Sequence, residues 1–431
     1  GDIAWQAPLP LATDLGAQSS PFAAVSGAFG TPTLDPVTNT LLVPVEGIYP
    51  ACPNVSPPNC TDYAHGGYLA ALDASSGAVR WEEPSSGGKP GLASGTMRGE
   101  PIVVGGAVIE GISGGDQQSG RQMGGLIALD EASGTTLDRI AFAPSTSPAA
   151  PFDGGSSWSP ISSDGTYLYV GAGNTAASDG FYDGVLQVAF TGNAFQFTQS
   201  YIATVPSGSA DVDEDVGGGA LLWSGNLYFT GKTGPYYGYP IYAPSLPLFP
   251  PVPITTNPNP AGIGGIGTPT TDGTEIAAFS GLNQGTYQSD LDLFPVGNGT
   301  ETCKLQATNS SLFSYVAWVP GIGFAGIDNG VDGNPIGDTA AAIPEFIAFN
   351  DGCKILWSAN PTDLLEFFYA GPAVVASGLY AIDVSGNVYS WKLPTMVGIQ
   401  ARARHDLIRP GRRQQFPFRS FLPRGYGRSR P

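Results

Sequence analysis

One short pattern recurs along the chain: an apolar strand that ends in Asp or Asn, a turn that contains Gly, and a second strand that often ends in Trp. Strong copies occupy residues 67–81, 125–134, 346–357 and 379–391, and weaker copies occupy 188–193 and 293–298. Repetition at roughly 50 to 60 residues of a unit built from short strands and tight turns is typical of a β-propeller. The repeat therefore predicts an all-β fold.

Length and composition agree with a large β-protein that is dense in turns. The 431 residues are 42% hydrophobic and only 13% charged, and they include 61 Gly and 39 Pro. This length alone would suggest about two or three domains, but a repeat array takes precedence over that estimate. No apolar run reaches about 18 residues, so we expect no membrane-spanning segment.

Residues 1–394 are predicted to form a single propeller of seven four-stranded blades. Inner strands follow Gly-x-Pro or Ser-Pro, as at 30–32, 99–101, 158–160, 267–269 and 371–372. Hairpin turns are expected at the pairs 164–165, 272–273 and 377–378. An eighth blade within the irregular, Pro-rich stretch 240–262 is the alternative. Trp5 lies in an isolated apolar segment, which we expect to close the ring as the outer strand beside 387–391.

Charge is distributed unevenly between the body and the end of the chain. Residues 1–400 carry 9 Lys or Arg against 35 Asp or Glu, whereas 401–431 carry nine Arg and one Asp. The acidic body should repel nucleic acid and anionic membranes. Residues 395–431 lack strand periodicity and are predicted to form a basic extension outside the propeller. This extension is either a disordered or artefactual tail or an arm, from Arg402 to Arg430, that binds an acidic surface of its own or a neighbouring copy.

Two features predict a secreted, extracellular glycoprotein. Sequons of the form Asn-x-Ser/Thr begin at Asn54, Asn59, Asn298 and Asn309. The four cysteines fall into two plausible disulfides, Cys52 with Cys60 around a Pro-rich loop and Cys303 with Cys353 in outer-strand-like segments. Four unrelated thiols are the alternative. No signal peptide is present at Gly1, so we expect the numbering to begin at a processed N-terminus.

The Asp/Gly/Trp pattern resembles the repeats of the pyrroloquinoline-quinone (PQQ) propeller family over most of residues 1–394. Two segments extend the resemblance to the active site of the quinoprotein dehydrogenases. Residues 108–125 look like the segment in which a Glu ligates Ca²⁺, and Asp116 stands in that place, one methylene shorter. Residues 211–237 resemble a paired-Asp, Gly-rich segment and a strand whose basic residue, here Lys232, contacts the quinone oxygens.

A third segment, 157–182, is similar to the part of the family that surrounds the quinone ring. The resemblance implies that Trp158 lies under the ring, that Asn174 ligates Ca²⁺ and that Asp179 is the catalytic base. Gly180 follows where the family usually has Asn. The implied activity is a PQQ- and Ca²⁺-dependent alcohol dehydrogenase of the polyvinyl-alcohol-dehydrogenase-like group, with a small alcohol as substrate and an external electron acceptor.

The residue types suit that chemistry, although the chain departs from the family in two further respects. Ca²⁺ takes oxygen ligands and polarises a carbonyl, a carboxylate accepts the alcohol proton, and a nearby cation stabilises developing negative charge. However, the chain has no adjacent Cys pair of the kind these dehydrogenases often carry. It also has no Cys-x-x-Cys-His, so it lacks a haem site.

Each candidate residue also has a structural interpretation. Trp158 can be a core residue, Asn174 a turn residue and Asp179 a solvated loop residue. For Lys232, a side chain that faces the central pocket and one that faces away from it are equal alternatives. The alternating Asp residues at 211, 213 and 215 fit a structural loop or a structural Ca²⁺ site equally well.

Two other classes of function remain open. The first is a non-catalytic structural or adhesive propeller, such as a filament or cell-wall subunit, whose basic tail binds the acidic body of the next copy. The second is a glycan-processing hydrolase, for which paired carboxylates are available without a distinctive spacing. The dehydrogenase interpretation requires Asp116, Asn174, Asp179 and Lys232 to converge at one end of the central channel.

Overall fold

The computed structural model describes the strands of the repeats and the tight turns between them. The described residues are 5, 32–45, 68–83, 99–112, 124–142, 144–147, 150–152, 157, 159–173, 184–202, 216–231, 235–254, 267–279, 290–306, 316–329, 343–359, 372–375, 378–382 and 388–391. They form 29 β-strands without any helix. Consequently, this part of the chain contains no helix with the length and apolar character needed to cross a membrane. The predicted all-β class is confirmed.

The chain divides into two compact units, and each is described by itself. The larger unit comprises Asp2–Pro253 and Pro258–Thr268. It contains four antiparallel sheets of four strands, each in chain order. The strands are β1 (Thr33–Asp35), β2 (Thr40–Val45), β3 (Tyr68–Asp73) and β4 (Val79–Glu83); β5 (Ile102–Val104), β6 (Ala107–Ile112), β7 (Gly125–Asp130) and β8 (Thr136–Ala141); a separate hairpin of β9 (Pro144–Ser147) and β10 (Ala150–Phe152); β11 (Ser162–Ser163), β12 (Tyr167–Ala172), β13 (Gly184–Thr191) and β14 (Ala194–Ile202); and β15 (Leu221–Trp223), β16 (Asn226–Thr230), β17 (Pro235–Pro240) and β18 (Val252–Pro253).

The smaller unit comprises Gly1, Ile254–Asn257 and Pro269–Pro431. Its described residues form two further sheets of four strands and one of three. The strands are β19 (Thr270–Thr271), β20 (Glu275–Phe279), β21 (Asp290–Pro295) and β22 (Cys303–Gln306); β23 (Ala317–Val319), β24 (Ile322–Asn329), β25 (Ile343–Asn350) and β26 (Ile355–Ala359); and β27 (Ala373–Val375), β28 (Gly378–Ile382) and β29 (Val388–Trp391). Repeated four-stranded antiparallel sheets in chain order are the architecture of a multi-blade β-propeller.

The inner strands begin where the sequence predicts them. Pro32, Pro101, Pro269 and Pro372 each directly precede the first strand of a sheet. Proline lacks the N–H that a ladder needs, and it is therefore tolerated at a strand start. The predicted hairpin turn at 272–273 is also present, with a φ of +102° at Gly273.

Successive sheets pack face to face, and this explains why their strands are apolar on both faces. Val108 and Ile112 of β6 pack with the first sheet, in a buried cluster that includes Leu42. Ile109, on the opposite face of the same strand, packs with the third sheet against Leu168. Residues on both faces of β6 are therefore buried by the two neighbouring sheets.

Neighbouring sheets are also joined at a fixed position, where the outer strand of one sheet contacts the last turn of the next. Trp81 of β4 is 7% exposed, and its Nε1 donates a hydrogen bond to the carbonyl oxygen of Glu131 at 2.8 Å. Its ring lies against Gly134, where an added Cβ would come within 2.7 Å of the ring. Gly134 has a φ of +69°, so both its backbone conformation and this close contact require glycine.

Trp5 makes the same pair of contacts with the first sheet. Its Nε1 donates to the carbonyl oxygen of Ala74 at 2.9 Å, and its ring covers Gly77. Since Trp81 occupies an outer strand, this equivalence supports an outer-strand role for Trp5. The expected partner of that strand, residues 387–391, contains β29, the last described strand of its sheet. The pairing itself stays a prediction.

In the smaller unit a disulfide occupies the position that Trp81 has in the first sheet. Cys303 begins the outer strand β22 and is bonded to Cys353, with 5.8 Å between their Cα atoms. Cys353 lies in the last turn of the next sheet and has a φ of +54°, a conformation that Gly134 adopts in the second sheet. The predicted pairing is confirmed. The predicted outer-strand location is right for Cys303 and wrong for Cys353.

The irregular stretch proposed as an eighth blade belongs to the fourth sheet as far as it is described. Residues 241–251 form a loop that returns to β18, which pairs with β17. Phe249 anchors this loop, because its ring stacks on Tyr236 with 5.3 Å between centroids and lies against Gly238. Residues 240–254 thus complete a blade and do not start a new one.

Candidate functional site

The strand ends of each sheet lie along two opposite edges, and the connections between strands differ at the two. At one edge, which we name the turn edge, the first strand joins the second and the third joins the fourth, mostly through tight turns. At the opposite edge, the loop edge, the second strand leads to the third and the chain passes to the next sheet. Binding residues of a propeller are most easily supplied by such longer connections, since they are free of the ladder.

The five predicted site residues lie outside the described residues, on segments that leave from loop edges. Asp116 belongs to the connection between β6 and β7, Asn174 and Asp179 to that between β12 and β13, and Lys232 to that between β16 and β17. Trp158 directly precedes the first strand region of the third sheet. The segments that contain these residues therefore belong to connections of the second, third and fourth sheets. Their side chains stay predictions.

The two neighbours of Trp158 are described, and both are buried polar residues. Ser157 and Ser159 have no exposed surface, and neither hydroxyl has a hydrogen-bond partner among the described residues. An added Cβ on Gly111 would lie 2.8 Å from the Ser157 Oγ, and one on Gly171 would lie 2.8 Å from the Ser159 Oγ. Glycine at these two strand ends therefore leaves room for two hydroxyls that have hydrogen-bonding capacity to spare.

Glycines also allow the entry segments of successive inner strands to touch. The backbone of Gly218 approaches that of Gly267 too closely for any side chain, and an added Cβ on Gly99 would lie 2.9 Å from the Ser159 carbonyl oxygen. Thr230 donates a hydrogen bond to the Gly267 carbonyl oxygen at 3.3 Å across the same contact. Gly218 and Gly219 thus serve backbone packing, in agreement with the lack of a phosphate-loop sequence.

One buried acid at this edge was not among the predicted site residues. Glu110 of β6 has no exposed surface, and neither carboxyl oxygen has a hydrogen-bond partner among the described residues. Burial raises the pKa of Glu110 to about 8, the facing amide of Gly99 opposes this, and Glu100 adds to it. In the sequence, the buried position of Glu110 is indicated by a charged residue within the apolar run from Val108 to Ile112.

Glu110 should make the stability of the protein depend on pH in a defined direction. Its carboxyl holds a proton in the folded state to higher pH than in the unfolded chain, where the pKa is near 4.5. The contribution of Glu110 to the free energy of unfolding is therefore largest below about pH 4.5. It falls by about 1.4 kcal/mol per pH unit as the pH rises from there toward 8. Urea unfolding of Glu110→Gln between roughly pH 5 and 8 should show a shallower fall than the wild type. Parallel curves would contradict this assignment.

A second buried acid lies in the smaller unit and has a cationic partner. Asp292 of β21 is fully buried, and the Nζ of Lys304 lies 3.4 Å from its Oδ1. Burial raises the pKa of Asp292 to about 8 despite this ammonium group, while Glu301 and Asp290 add to the shift. Within the described parts of the chain, no group of three or more His, Cys, Asp or Glu side chains is placed to hold a metal ion.

The structure describes only some of the other predicted sites. Asn298 lies exposed in the turn between β21 and β22, where its Oδ1 accepts a hydrogen bond from the Thr300 amide at 2.9 Å. This position is compatible with glycosylation, which stays a prediction. Predicted sites outside the described residues are Cys52, Cys60, Asn54, Asn59, Asn309, the Asp residues at 211, 213 and 215, and the tail 395–431.

Comparisons with solved structures show which fold these sheets represent. BamB from Moraxella catarrhalis is similar with a TM-score of 0.56 and 16% identity, over 85% of each chain. Quinohemoprotein alcohol dehydrogenase from Comamonas testosteroni is similar with a TM-score of 0.53 and 15% identity, over 83% of this chain and 70% of that one. Saccharomyces cerevisiae Sqt1 gives 0.52 and 10%, over 86% and 83%. No protein-family model and no curated protein matches the sequence. The chain therefore shares the fold of these proteins, a multi-blade β-propeller.

Proposed function

We propose that the protein is a secreted quinoprotein-like propeller that oxidises small alcohols with PQQ and Ca²⁺ and passes the electrons to an external acceptor. One observation carries the proposal. The connections that contain Asp116, Asn174, Asp179 and Lys232 all leave from the loop edges of three consecutive sheets. A cofactor site needs polar groups from several connections that reach one ligand, and the common edge from which these connections leave supports the proposal.

The described residues at these edges fit a polar, oxygen-rich ligand. Ser157 and Ser159 flank Trp158 and keep two fully buried hydroxyls without partners among the described residues. A buried hydroxyl without a partner is costly, so a ligand that accepts hydrogen bonds there would bind favourably. PQQ carries carboxylate and carbonyl oxygens that can accept such bonds.

Each candidate residue has one role in the proposed reaction. Asp116 and Asn174 supply oxygen ligands for Ca²⁺, and Trp158 offers a flat apolar surface for a ring. Asp179 accepts the hydroxyl proton of the alcohol, and Lys232 holds positive charge near the oxygen atom that becomes negative. Bound PQQ supplies the carbonyl group that accepts the hydride.

A titration with PQQ in the presence of Ca²⁺, followed by tryptophan fluorescence, tests the proposal. We expect saturable quenching in the wild type and at least about tenfold weaker binding in Asp116→Ala, because one charged Ca²⁺ ligand is lost. Asp183→Ala is a matched control, since it removes a nearby carboxylate that has no assigned role, and it should bind like the wild type. Asp179→Asn should keep the quenching by PQQ. Its turnover rate with an artificial electron acceptor should be lower than that of the wild type by a factor of about 10² to 10⁴.

No quenching at about tens of micromolar PQQ would overturn the proposal. The structural alternative would then be tested through the tail. Deletion of residues 395–431 removes nine Arg from an otherwise acidic chain. If the tail binds the acidic body of a neighbouring copy, light scattering should show a salt-sensitive association that this deletion abolishes.

A further inference from the structure

A small cavity that is open to solvent lies between the third and fourth sheets of the larger unit, at their turn edge. Its volume is about 250 Å³, and its lining comes from the first hairpin turn of each sheet and from Ile241, which follows β17. Sites for drug-sized ligands usually enclose about 300 to 1,000 Å³, so this cavity has room for a single ring. The connections assigned to PQQ leave from the opposite edge of these sheets.

The hairpin turn of the fourth sheet holds an indole ring and an amide group side by side in this cavity. Trp223 and Asn226 are directly opposed on β15 and β16, so their side chains lie on the same face of the sheet. Ser224 and Gly225 between them have φ values of +51° and +75°, which are typical of a tight two-residue hairpin turn. The Ile241 amide donates a hydrogen bond to the Gly225 carbonyl oxygen at 3.1 Å. The backbone therefore fixes the relative positions of the indole and the amide.

The cavity offers an aromatic surface and hydrogen-bonding groups. Trp223 is 39% exposed, and neither its indole N–H nor the side-chain amide of Asn226 has a hydrogen-bond partner among the described residues. Asp164 lines the opposite wall, where its Oδ1 accepts from two backbone amides and its Oδ2 accepts only from the Tyr169 hydroxyl at 2.8 Å. A carboxylate oxygen can accept more than one such bond, so Oδ2 can accept from a ligand as well.

The charge of the cavity narrows the choice of ligand. Burial raises the pKa of Asp164, but hydrogen bonds from the Tyr167 and Thr166 amides outweigh this effect, and the net shift is downward. Asp164 is therefore ionised at neutral pH. No Lys, Arg or His is among the described residues that line the cavity. An anionic ligand would meet only negative charge here, so the site favours a neutral ligand that donates hydrogen bonds.

We propose that this cavity binds one sugar ring of a neutral oligosaccharide. The faces of a pyranose ring consist largely of C–H groups that pack on an aromatic surface, and its hydroxyl groups both donate and accept hydrogen bonds. Trp223 supplies the surface, Asn226 can donate and accept, and Asp164 accepts. Tyr242, which directly follows Ile241, is 84% exposed and provides a second aromatic side chain near the turn. The site needs neither PQQ nor Ca²⁺ and goes beyond the proposed function.

Isothermal titration calorimetry of the full chain with neutral oligosaccharides of glucose, mannose and galactose, without PQQ or Ca²⁺, tests this site. We expect at least one of them to bind with a dissociation constant of about 0.1 to 10 mM, because only one ring is held. Trp223→Ala should weaken this binding at least about tenfold, and Asn226→Ala at least about threefold. Trp223→Phe keeps an aromatic surface and should retain most of the affinity.

Tyr380→Ala is the matched control, since Tyr380 is 37% exposed but belongs to the smaller unit, and this variant should bind like the wild type. Circular dichroism checks that every variant is folded. The inference is overturned if no oligosaccharide binds at about 50 mM, or if Trp223→Ala binds like the wild type. An indole beside a carboxylate also suits a quaternary ammonium ion, so choline is titrated in parallel. Binding of choline without binding of any oligosaccharide would overturn the inference too. The PQQ titration is a separate measurement, so either proposal can fail alone.

Discussion

Replacement of Cys303 and Cys353 by serine is expected to lower the free energy of unfolding by about 4 kcal/mol. The disulfide closes a segment with a sequence separation of 50 residues, and such a link stabilises chiefly by restricting the unfolded chain. It also joins an outer strand to the next sheet at the position that Trp81 holds in the larger unit, so its loss removes the covalent link at this junction. Urea unfolding of the wild type and the double variant, followed by circular dichroism, measures the difference.

The second predicted disulfide provides the control for this experiment. Cys52 and Cys60 would close a much shorter segment, so their replacement should cost about 2.5 kcal/mol in the same chain-entropy estimate. Addition of a reductant to the variant that lacks Cys52 and Cys60 should lower its stability by the same amount as the Cys303 and Cys353 replacement lowers that of the wild type. Equal stability of the wild type and the Cys303/Cys353 variant would contradict the role that we assign to the bond.

Trp81→Ala is expected to destabilise the larger unit by about 3 to 5 kcal/mol. The side chain is almost fully buried between two sheets, and the substitution also removes the hydrogen bond to the Glu131 carbonyl oxygen. Since Gly134 has no side chain that could fill the space, a cavity remains. Chemical unfolding with a fluorescence readout provides the measurement.

Two other tryptophans provide comparisons for the Trp81→Ala variant. Trp223 of β15 is 39% exposed, so Trp223→Ala should cost less than about 1 kcal/mol. Trp5 repeats the contacts of Trp81, and Trp5→Ala should therefore resemble Trp81→Ala if the N-terminal segment forms an outer strand. A cost for Trp5→Ala no larger than that for Trp223→Ala would argue against closure by this segment.

The sequence was informative about the strands and turns because their determinants are local. Pro101 and Pro269 precede inner strands, since a missing N–H is tolerated there, and Gly273 adopts the positive φ that its turn requires. Trp81 and Trp391 end similar sequence patterns but lie on different strands, the fourth of one sheet and the third of another. The residue pattern of a strand does not indicate which position the strand takes in its sheet. The positions of these two strands therefore became known only from their hydrogen-bonded pairing with neighbouring strands.

The candidate site was predicted from resemblance to a family, and the structure adds a residue that resemblance did not supply. Asp116, Asn174 and Lys232 lie outside the described residues, and only the strand ends that carry their segments are known. Glu110 was visible as an acid within an apolar strand. Only the tertiary structure shows that its carboxyl is fully buried and lies close to the backbone of Gly99.

The sequence by itself determined the all-β class and the strand starts, because the period and the turn residues act over short stretches or repeat regularly. It predicted the pairing of Cys303 with Cys353 without fixing the place of either residue in the sheets. The tertiary structure alone decided what joins one sheet to the next. Cys353 occupies a turn position that glycine has elsewhere, since the outer strand of the preceding sheet reaches it with a thiol in place of an indole ring. Such contacts link residues about 50 positions apart, and only the packed sheets bring them together.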